Sequence, residues 1–282
     1  MKRSLVLLSV LLAVLLSGTH AWLKVPTTFE MHMLDVGQGD AILLRTETGE
    51  NILIDGGPGS SVLEELGEVL SPFDRKLDLV ILTHPHEDHV AGLVPVLERF
   101  EVGEVVLSAP EYNNQAYEAL LEEIKRQDIP YSFADDDYDF AFGDLELDVL
   151  FPFEPFTGDG MDNVNNASPV IKATWGEVDV LLTGDVEMEV EAALLVAGLD
   201  IEADILKAGH HGSKSSSTEA FLEAVSAGMI LISCGVGNDY GHPHAETLEK
   251  AGDLDMEVHR TDLEGRLSVI FGEEGYEVRP ER

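Results

Sequence analysis

The heptapeptide THPHEDH occupies residues 83–89 and directly follows an apolar stretch, LDLVIL, at residues 77–82. The apolar stretch predicts a buried β-strand, so three imidazoles and two carboxylates would gather where that strand ends. Such a group is costly to bury unless a cation neutralises it. Imidazole and carboxylate ligands together suit zinc, manganese or iron, whereas calcium takes oxygen ligands. The heptapeptide therefore predicts a site for one of these metals.

Two further polar clusters follow later in the chain. Asp185 ends the segment VDVLLTGD, and it could simply cap the next helix. Beside a metal site, a carboxylate that bridges two ions is the preferred interpretation. His210 and His211 are adjacent in the segment KAGHHGS, so they cannot both face one point. We therefore expect one of them to bind metal and the other to face the substrate.

The order of features around these clusters is repeated. GENILIDGG at residues 49–57 resembles GEVDVLLTGD at residues 176–185, and each is followed by a helical pattern and a second apolar strand. Alternation of strands and helices predicts an α/β domain of two stacked halves, with a shared cleft at the strand ends. Helices are predicted at residues 60–70, 112–127 and 186–197, and the acidic segment that ends at Pro155 is predicted to be less regular.

Composition narrows the possible classes. The 282 residues include 17 Lys and Arg against 54 Asp and Glu, a formal net charge of −37, and 44% are hydrophobic. A single cysteine, Cys234, excludes an internal disulfide framework and cysteine-ligated zinc or iron–sulfur sites. The acidity argues against a clamp of many lysines and arginines on phosphates. It is compatible with an ordinary solvated surface, but it favours a halophilic source, because salt screens the self-repulsion.

The first 21 residues have the three parts of a secretory signal. Lys2 and Arg3 precede an apolar run at residues 5–16, and small residues lead to Ala21. The run is shorter than the ~20 residues of a spanning helix, so cleavage is favoured over anchoring. We expect an exported protein without stable membrane insertion, secreted or retained at the cell surface, with residues 22–282 forming one domain.

HPHEDH, TGD and HHGS, in this order, resemble the metallo-β-lactamase superfamily, whose fold is an αββα sandwich. A narrower resemblance covers nearly the whole chain after the signal segment. It is to the soluble hydrolase domain of ComEC-type competence proteins, which is thought to degrade one DNA strand during uptake. The motifs that carry it are DVGQGDA (35–41), IDGG (54–57), NNASPV (165–170), GHHGSKSSS (209–217), YGHPH (240–244) and RTDLEG (260–265).

The superfamily resemblance implies two divalent metal ions, zinc or manganese. The implied ligands are His84 and His86 for the first ion, Asp88, His89 and one of His210 and His211 (preferably His211) for the second, and Asp185 between them. Most superfamily members add a histidine to the first ion between the HPHEDH motif and the bridging aspartate. No histidine lies between His89 and Asp185 here, as is normal for the competence-type group.

The expected reaction is cleavage of a phosphodiester, with DNA as the expected substrate, by in-line attack of a hydroxide that bridges the ions. The residues expected to act in catalysis are Asp88, Asp185, His210 and His242. Those expected to bind the substrate are Asn165, Ser168, Ser213 and Lys214. Two alternatives remain open at this point: hydrolysis of a small ester, thioester or lactam, and a non-catalytic DNA-binding module.

Overall fold

The computed structural model describes residues 25–135, 139–158, 160–273 and 275–282. The predicted signal segment, residues 1–21, lies outside the described residues. Within these ranges, no helix has the length and apolar character needed to cross a membrane.

The strands and helices alternate over much of the chain. In chain order the strands are β1 (Glu30–Met33), β2 (Ile42–Arg45), β3 (Asn51–Ile54), β4 (Lys76–Leu82), β5 (Glu101–Leu107), β6 (Tyr131–Phe133), β7 (Phe140–Phe142), β8 (Leu145–Phe151), β9 (Val170–Trp175), β10 (Val178–Leu182), β11 (Ile205–Lys207), β12 (Met229–Ile232), β13 (Glu257–Arg260), β14 (Leu267–Gly272) and β15 (Gly275–Pro280). The helices are α1 (Ser61–Val69), α2 (Glu87–Val90), α3 (Leu93–Leu97), α4 (Gln115–Gln127), α5 (Met188–Ala197), α6 (Glu219–Val225), α7 (Ala245–Asp253) and α8 (Thr261–Glu264). Short 3₁₀ turns occur at Val164–Ala167 and Gly209–Gly212.

Two sheets pack face to face, with helices on their outer faces. The order of the first sheet is β15-β14-β1-β2-β3-β4-β5-β6, and that of the second is β13-β12-β11-β10-β9-β8-β7. Alternate residues divide between the layers because side chains of a strand point to opposite faces. Ile42 and Leu44 of β2 join the core between the sheets, whereas Leu43 packs with helical residues such as Leu66 and Leu120. The expected αββα sandwich is confirmed.

The repeated order of features forms two equivalent structural units. β3 and β4 are parallel and are joined through α1, and β10 and β11 are parallel and are joined through α5. The predicted strand–helix–strand units are therefore confirmed. His84 follows β4, Asp185 follows β10, and His210 and His211 follow β11. Both units thus deliver their polar residues at the carboxyl ends of parallel strands.

Two local predictions need correction. The helix predicted at residues 112–127 begins only at Gln115, because the Asn114 side chain accepts hydrogen bonds from the backbone N–H groups of Ala116 (2.8 Å) and Tyr117 (3.1 Å) and caps the helix. The acidic segment up to Pro155 is not irregular, since it contains β6, β7 and β8. In β8, alternate residues are buried, which anchors this charged strand to the core.

Candidate metal centre

Three buried histidines surround the carboxylate of Asp185. The Nε2 atoms of His89 and His211 each lie 3.3 Å from Asp185 Oδ2, and the Nε2 atom of His84 lies 4.0 Å from it. All four side chains are at most 2% exposed. The 3.3 Å contacts are too poorly aligned to be hydrogen bonds, and the Nε2 atoms of His89 and His211 have no hydrogen-bond partner among the described residues. A buried polar atom without a partner costs about 1–3 kcal/mol, so this pair of nitrogens is suited to coordinate a metal ion.

The spacing of these atoms fits a small divalent cation. Bonds of about 2.0–2.1 Å in a tetrahedral site place neighbouring ligand atoms about 3.3 Å apart. The contacts of His89 and His211 with Asp185 have that length, and His211 Nε2 lies 3.5 Å from Asp88 Oδ2. Asp88, His89 and His211 offer ligand atoms within 4.8 Å of one another. Together with Asp185 they form one candidate site.

A second group shares Asp185. His84, His89 and Asp185 also offer ligand atoms within 4.8 Å of one another, and His86 Nδ1 lies 3.0 Å from His84 Nε2. Asp185 therefore lies between one group that includes Asp88 and His211 and another that includes His84 and His86. We propose the same division of ligands that the sequence predicted, with Asp185 common to both.

The second ring nitrogen of each buried histidine is held by the protein. His89 Nδ1 lies 2.8 Å from Asp55 Oδ2, and His211 Nδ1 lies 3.0 Å from the carbonyl oxygen of Ser233. Asp55 is itself fixed by the backbone N–H (2.8 Å) and the hydroxyl (2.6 Å) of Thr83. A proton on Nδ1 leaves the Nε2 lone pair directed at the site, which is the usual way in which proteins orient metal-binding imidazoles.

A buried ion pair supports the other side of Asp185. Lys207 Nζ lies 2.5 Å from Asp40 Oδ2 and 3.5 Å from Asp185 Oδ1, and it donates a hydrogen bond to the carbonyl oxygen of Gly184 at 2.6 Å. Lys207 and Asp40 are 1% and 2% exposed. Burial works against both charges, yet the partners prevail: the pKa of Asp40 falls to about 2 and the pKa of Lys207 is raised.

The electrostatics favour cations at Asp185. Burial alone would raise the pKa of Asp185, but protonated His211, protonated His89 and Lys207 hold it well below its usual value. A bound metal ion would replace the protons on the two rings and supply the same positive charge. Burial likewise opposes the ionised form of Asp88, but its 3.5 Å contact with His211 and the neighbouring His89 outweigh this and lower its pKa to about 2. Both carboxylates are therefore ionised at neutral pH, which is the form that binds a metal ion.

The two adjacent histidines take different positions, as the sequence predicted. Both have left-handed backbone angles, with φ of 47° for His210 and 55° for His211. This turn buries His211, whereas the His210 side chain is 24% exposed and its Nε2 lies 4.0 Å from Asp185 Oδ2. His210 Nδ1 contacts Glu187 Oε1 at 3.1 Å. His210 is thus placed at the cleft rather than beneath it.

An open cleft of about 290 Å³ exposes this centre. Its lining consists of Gln38, His86, Glu87, Asp88, Tyr112, Asn114, Asp185, His210, His211, Tyr240 and His242. The pKa of His242 falls to about 4, because burial disfavours the charged ring and His210, His211 and His244 add positive charge. The neutral form of His242 therefore prevails at pH 7.

The four predicted substrate-binding residues do not line this cleft. Ser168 is fully buried, and its hydroxyl contacts His84 Nδ1 (3.2 Å) and accepts a hydrogen bond from the Asp185 backbone N–H (3.2 Å). Asn165 is 6% exposed and donates to Glu187 Oε1 at 2.9 Å. Ser213 is buried against Ser215, and Lys214 is exposed outside the cleft. The burial and contacts of Ser168 and Asn165 fit a role in positioning the residues of the centre. Ser213 and Lys214 are not part of the lining of this cleft.

Sequence reasoning missed several residues of the site. Asp40 and Asp55 lie in the motifs DVGQGDA and IDGG without a predicted role, and Lys207 begins the segment KAGHHGS, also without a predicted role. The repeat held a signal for Asp55, since it ends the first copy as Asp185 ends the second. Tyr112 lies in none of the quoted motifs, whereas Tyr240 begins the motif YGHPH; only the fold shows that both rings lie at the cleft beside the histidines.

Residues 34–228 match the family model described as the metallo-beta-lactamase superfamily. The chain belongs to this superfamily. The crystal structure of the metallo-beta-lactamase fold protein YhfI from Bacillus subtilis is similar, with a TM-score of 0.53 at 17% identity, over 83% of this chain and 96% of that one. The superfamily fold implies divalent metal ions, and the buried groups around Asp185 fit them.

Two curated relatives are competence-type proteins, which confirms the narrower resemblance. ComE operon protein 3 of Bacillus subtilis is 31% identical over 269 residues, which covers 86% of this chain and 33% of the relative. Competence protein ComA of Neisseria gonorrhoeae is 29% identical over 243 residues, which covers 86% of this chain and 32% of the relative. The chain thus spans about a third of the length of these two relatives. It is a superfamily hydrolase fold related to competence proteins.

Proposed function

We propose that this chain is a metal-dependent phosphodiesterase that cleaves DNA. The observation that carries the proposal is the position of Asp185, which lies between two groups of metal-binding side chains on the floor of an open cleft. Divalent ions, when bound, neutralise phosphate oxygens and lower the pKa of water. Residues on both sides of Asp185 would hold such ions where an in-line displacement at phosphorus needs them, because its attacking and leaving oxygens both carry negative charge. Zinc and manganese fit the mixture of imidazole and carboxylate ligands.

The protein's own residues would bind and orient the substrate. The residues that would hold the ions are His84, His86, Asp88, His89, His211 and Asp185. His210 and the neutral His242 face the cleft, where each can form one hydrogen bond with a phosphate oxygen. Its low pKa makes His242 a poor carrier of a proton at neutral pH, so a hydrogen-bonding role fits it better than donation of a proton to the leaving group.

The choice of DNA rests on similarity and on the cleft. One relative is named a competence protein, which is consistent with involvement of DNA. The cleft is open, so a chain can pass across it without being enclosed. The other candidates are a small ester, thioester or lactam as substrate, and DNA binding without turnover. Both are outcomes of the following experiment.

The test is hydrolysis of end-labelled single-stranded and double-stranded DNA in ~2 M NaCl with Mn²⁺ or Zn²⁺. We expect cleavage by the wild type and none by His86→Ala or Asp185→Ala, because each loses a proposed ligand. Asp200→Asn changes a carboxylate that is 78% exposed and should retain activity. A folded, metal-loaded wild type that binds DNA without cutting it would support the binding module. Turnover of small esters, thioesters or lactams without cleavage of DNA would support a small-molecule substrate.

We also propose that the protein is exported. Support comes from residues 1–21, in which a basic start, a short apolar run and small residues follow one another. Expression of the full chain should then yield a product in the medium or at the cell surface that begins at Trp22. Retention of an intact N-terminus inside the cell would contradict this.

A further inference from the structure

A second, larger cavity adjoins the metal cleft. This groove, of about 770 Å³, lies between β5, β6 and α4, and its volume is in the range of sites for small organic ligands. Its lining consists of Leu107, Ala109, Pro110, Glu111, Tyr112, Tyr117, Leu121, Ile124, Lys125, Asp128, Ile129, Tyr131, Phe133, Thr157 and Gly158. None of the predicted metal ligands lines it, so the groove is distinct from the metal centre.

Tyr112 joins the two cavities. It lines both the groove and the metal cleft, and its ring lies 5.3 Å from the ring of His86. A polymer that places one linkage over Asp185 could therefore place its neighbouring units in the groove without leaving the protein surface. The late start of α4 makes this possible, because Tyr112 is in the loop that precedes the Asn114 cap.

The groove presents aromatic faces rather than positive charge. Tyr131 is 58% exposed although it lies in a strand, and its ring packs against Phe133 in a T-shaped arrangement at 5.9 Å. Lys125 supplies a positive charge to the lining, beside two acidic residues, Glu111 and Asp128. Exposed aromatic rings bind flat, uncharged groups, and nucleobases are such groups because every base has a π-face.

The overall charge selects the mode of binding. With a net charge of −37, the protein cannot rely on a positive surface to hold a polyanion. Stacking of bases does not depend on counterion release, so it persists at high salt, where phosphate repulsion is screened. Bases are accessible for stacking only in unpaired strands.

We propose that this aromatic groove binds the unpaired bases of single-stranded DNA next to the linkage at the metal centre. The inference rests on the proposed function, since it names the strand form that the centre acts on. The bases stack on the rings of Tyr131 and Tyr112, and the phosphate next to the base on Tyr112 lies over the metal cleft. Duplex DNA presents no free base faces, so it is a poor ligand.

The test measures binding by fluorescence anisotropy in ~2 M NaCl with the full chain loaded with zinc. One probe is a labelled 12-residue thymidine oligomer with phosphorothioate linkages, which resist hydrolysis. The other has the same linkages but lacks bases. The variants are Tyr131→Ala, the conservative Tyr131→Phe, and Phe73→Ala. Phe73 is 68% exposed and lies before β4, at the opposite end of that strand from His84, so it is a matched control.

We expect the wild type to bind the thymidine oligomer at least 10-fold more tightly than the oligomer without bases. Tyr131→Ala should lower affinity for the thymidine oligomer by about 5- to 160-fold, which corresponds to the loss of one stacked base at about 1–3 kcal/mol. Tyr131→Phe and Phe73→Ala should retain the preference. Equal binding of both oligomers by the wild type would contradict the proposal that the aromatic groove binds bases. An unchanged preference of Tyr131→Ala for the oligomer with bases would contradict it as well.

These outcomes separate the two proposals, because binding is read without turnover. Base-dependent binding that Tyr131→Ala abolishes, in a protein that cleaves no DNA, supports the groove and refutes the phosphodiesterase. Cleavage of DNA with no effect of Tyr131→Ala on base preference does the reverse.

Discussion

Replacement of Lys207 by methionine should destabilise the fold strongly. Methionine has a similar length and fills the same space, so the main loss is the charge. The lysine compensates Asp40 at 2.5 Å and Asp185 at 3.5 Å, and all three side chains are at most 2% exposed. Removing one partner of a buried ion pair typically costs about 3–5 kcal/mol, because the other charge stays buried without compensation.

The loss can be expressed as a shift in melting temperature. For a domain of this size, 1 kcal/mol corresponds to about 2–4 °C, so Lys207→Met should lower Tm by roughly 6–20 °C. The assay is urea and thermal unfolding at one fixed salt concentration in the presence of a chelator, so that metal does not contribute. Lys125→Met, at an exposed position, should stay within about 0.5 kcal/mol of the wild type.

A double-mutant cycle isolates the pair. Asp40→Asn removes the stranded charge, so Asp40→Asn with Lys207→Met should be more stable than Lys207→Met alone. The pKa of Asp40 is lowered from 3.8 to about 2, so the stability it contributes is present above pH 3.8 and is lost as the pH falls through about 2. The cost of Lys207→Met should accordingly shrink towards pH 2. A loss of less than about 1 kcal/mol in the free energy of unfolding for Lys207→Met at pH 7 would contradict this role of the buried ion pair. A double variant no more stable than Lys207→Met would contradict it as well.

Three further predictions concern the centre, the surface and the core. Asp55→Asn should weaken zinc binding by about 10- to 100-fold, because Asp55 orients the His89 ring. The affinity is measured by competition with a chelating dye, with Asp200→Asn as the control. An affinity equal to that of the wild type would show that this contact is not needed. Tm should rise between ~0.1 M and ~2 M NaCl, because the Debye length falls from about 10 Å to below 3 Å and the added salt screens the net charge of −37. Sorbitol at matched osmolality is the control. An unchanged Tm would remove the basis for a halophilic source. Cys234 should resist iodoacetamide at pH 8 in the native state and react in guanidinium, because the thiol is buried beside Asp262, 3.3 Å away, and its pKa is raised to about 12; rapid native labelling would contradict that burial.

The sequence predicted those parts of the fold that depend on local patterns. Apolar runs ending in Asp or His located β4, β10 and β11, and the repeated order predicted two parallel strand–helix–strand units. The charged strand β8 was not predicted as a strand, because its buried residues alternate with others and its more exposed face is acidic. The apolar pattern places the start of α4 at residue 112, but the Asn114 side chain caps the helix, which therefore begins at Gln115.

The site was predictable only in its metal-facing residues. Histidines and aspartates with metal-ligand spacing stand out in a sequence, and the structure gathers them around Asp185. Ser168 and Asn165 are predicted to bind the substrate, yet the structure buries both beneath the cleft. The sequence does not show this, because the burial of a polar residue in a loop depends on the packing of distant segments. The contacts of Lys207 with Asp40 and of Asp55 with His89 join residues far apart in the chain, so only the packed fold reveals them.

An anomalous difference map would show whether Asp185 lies between two metal sites. Crystals grown with zinc, with data collected above the zinc absorption edge, should show two peaks that share Asp185. One peak should contact Asp88, His89 and His211, and the other should contact His84 and His86. An absence of peaks at Asp185, or a single peak that leaves His84 and His86 without a metal, would contradict the two-ion centre.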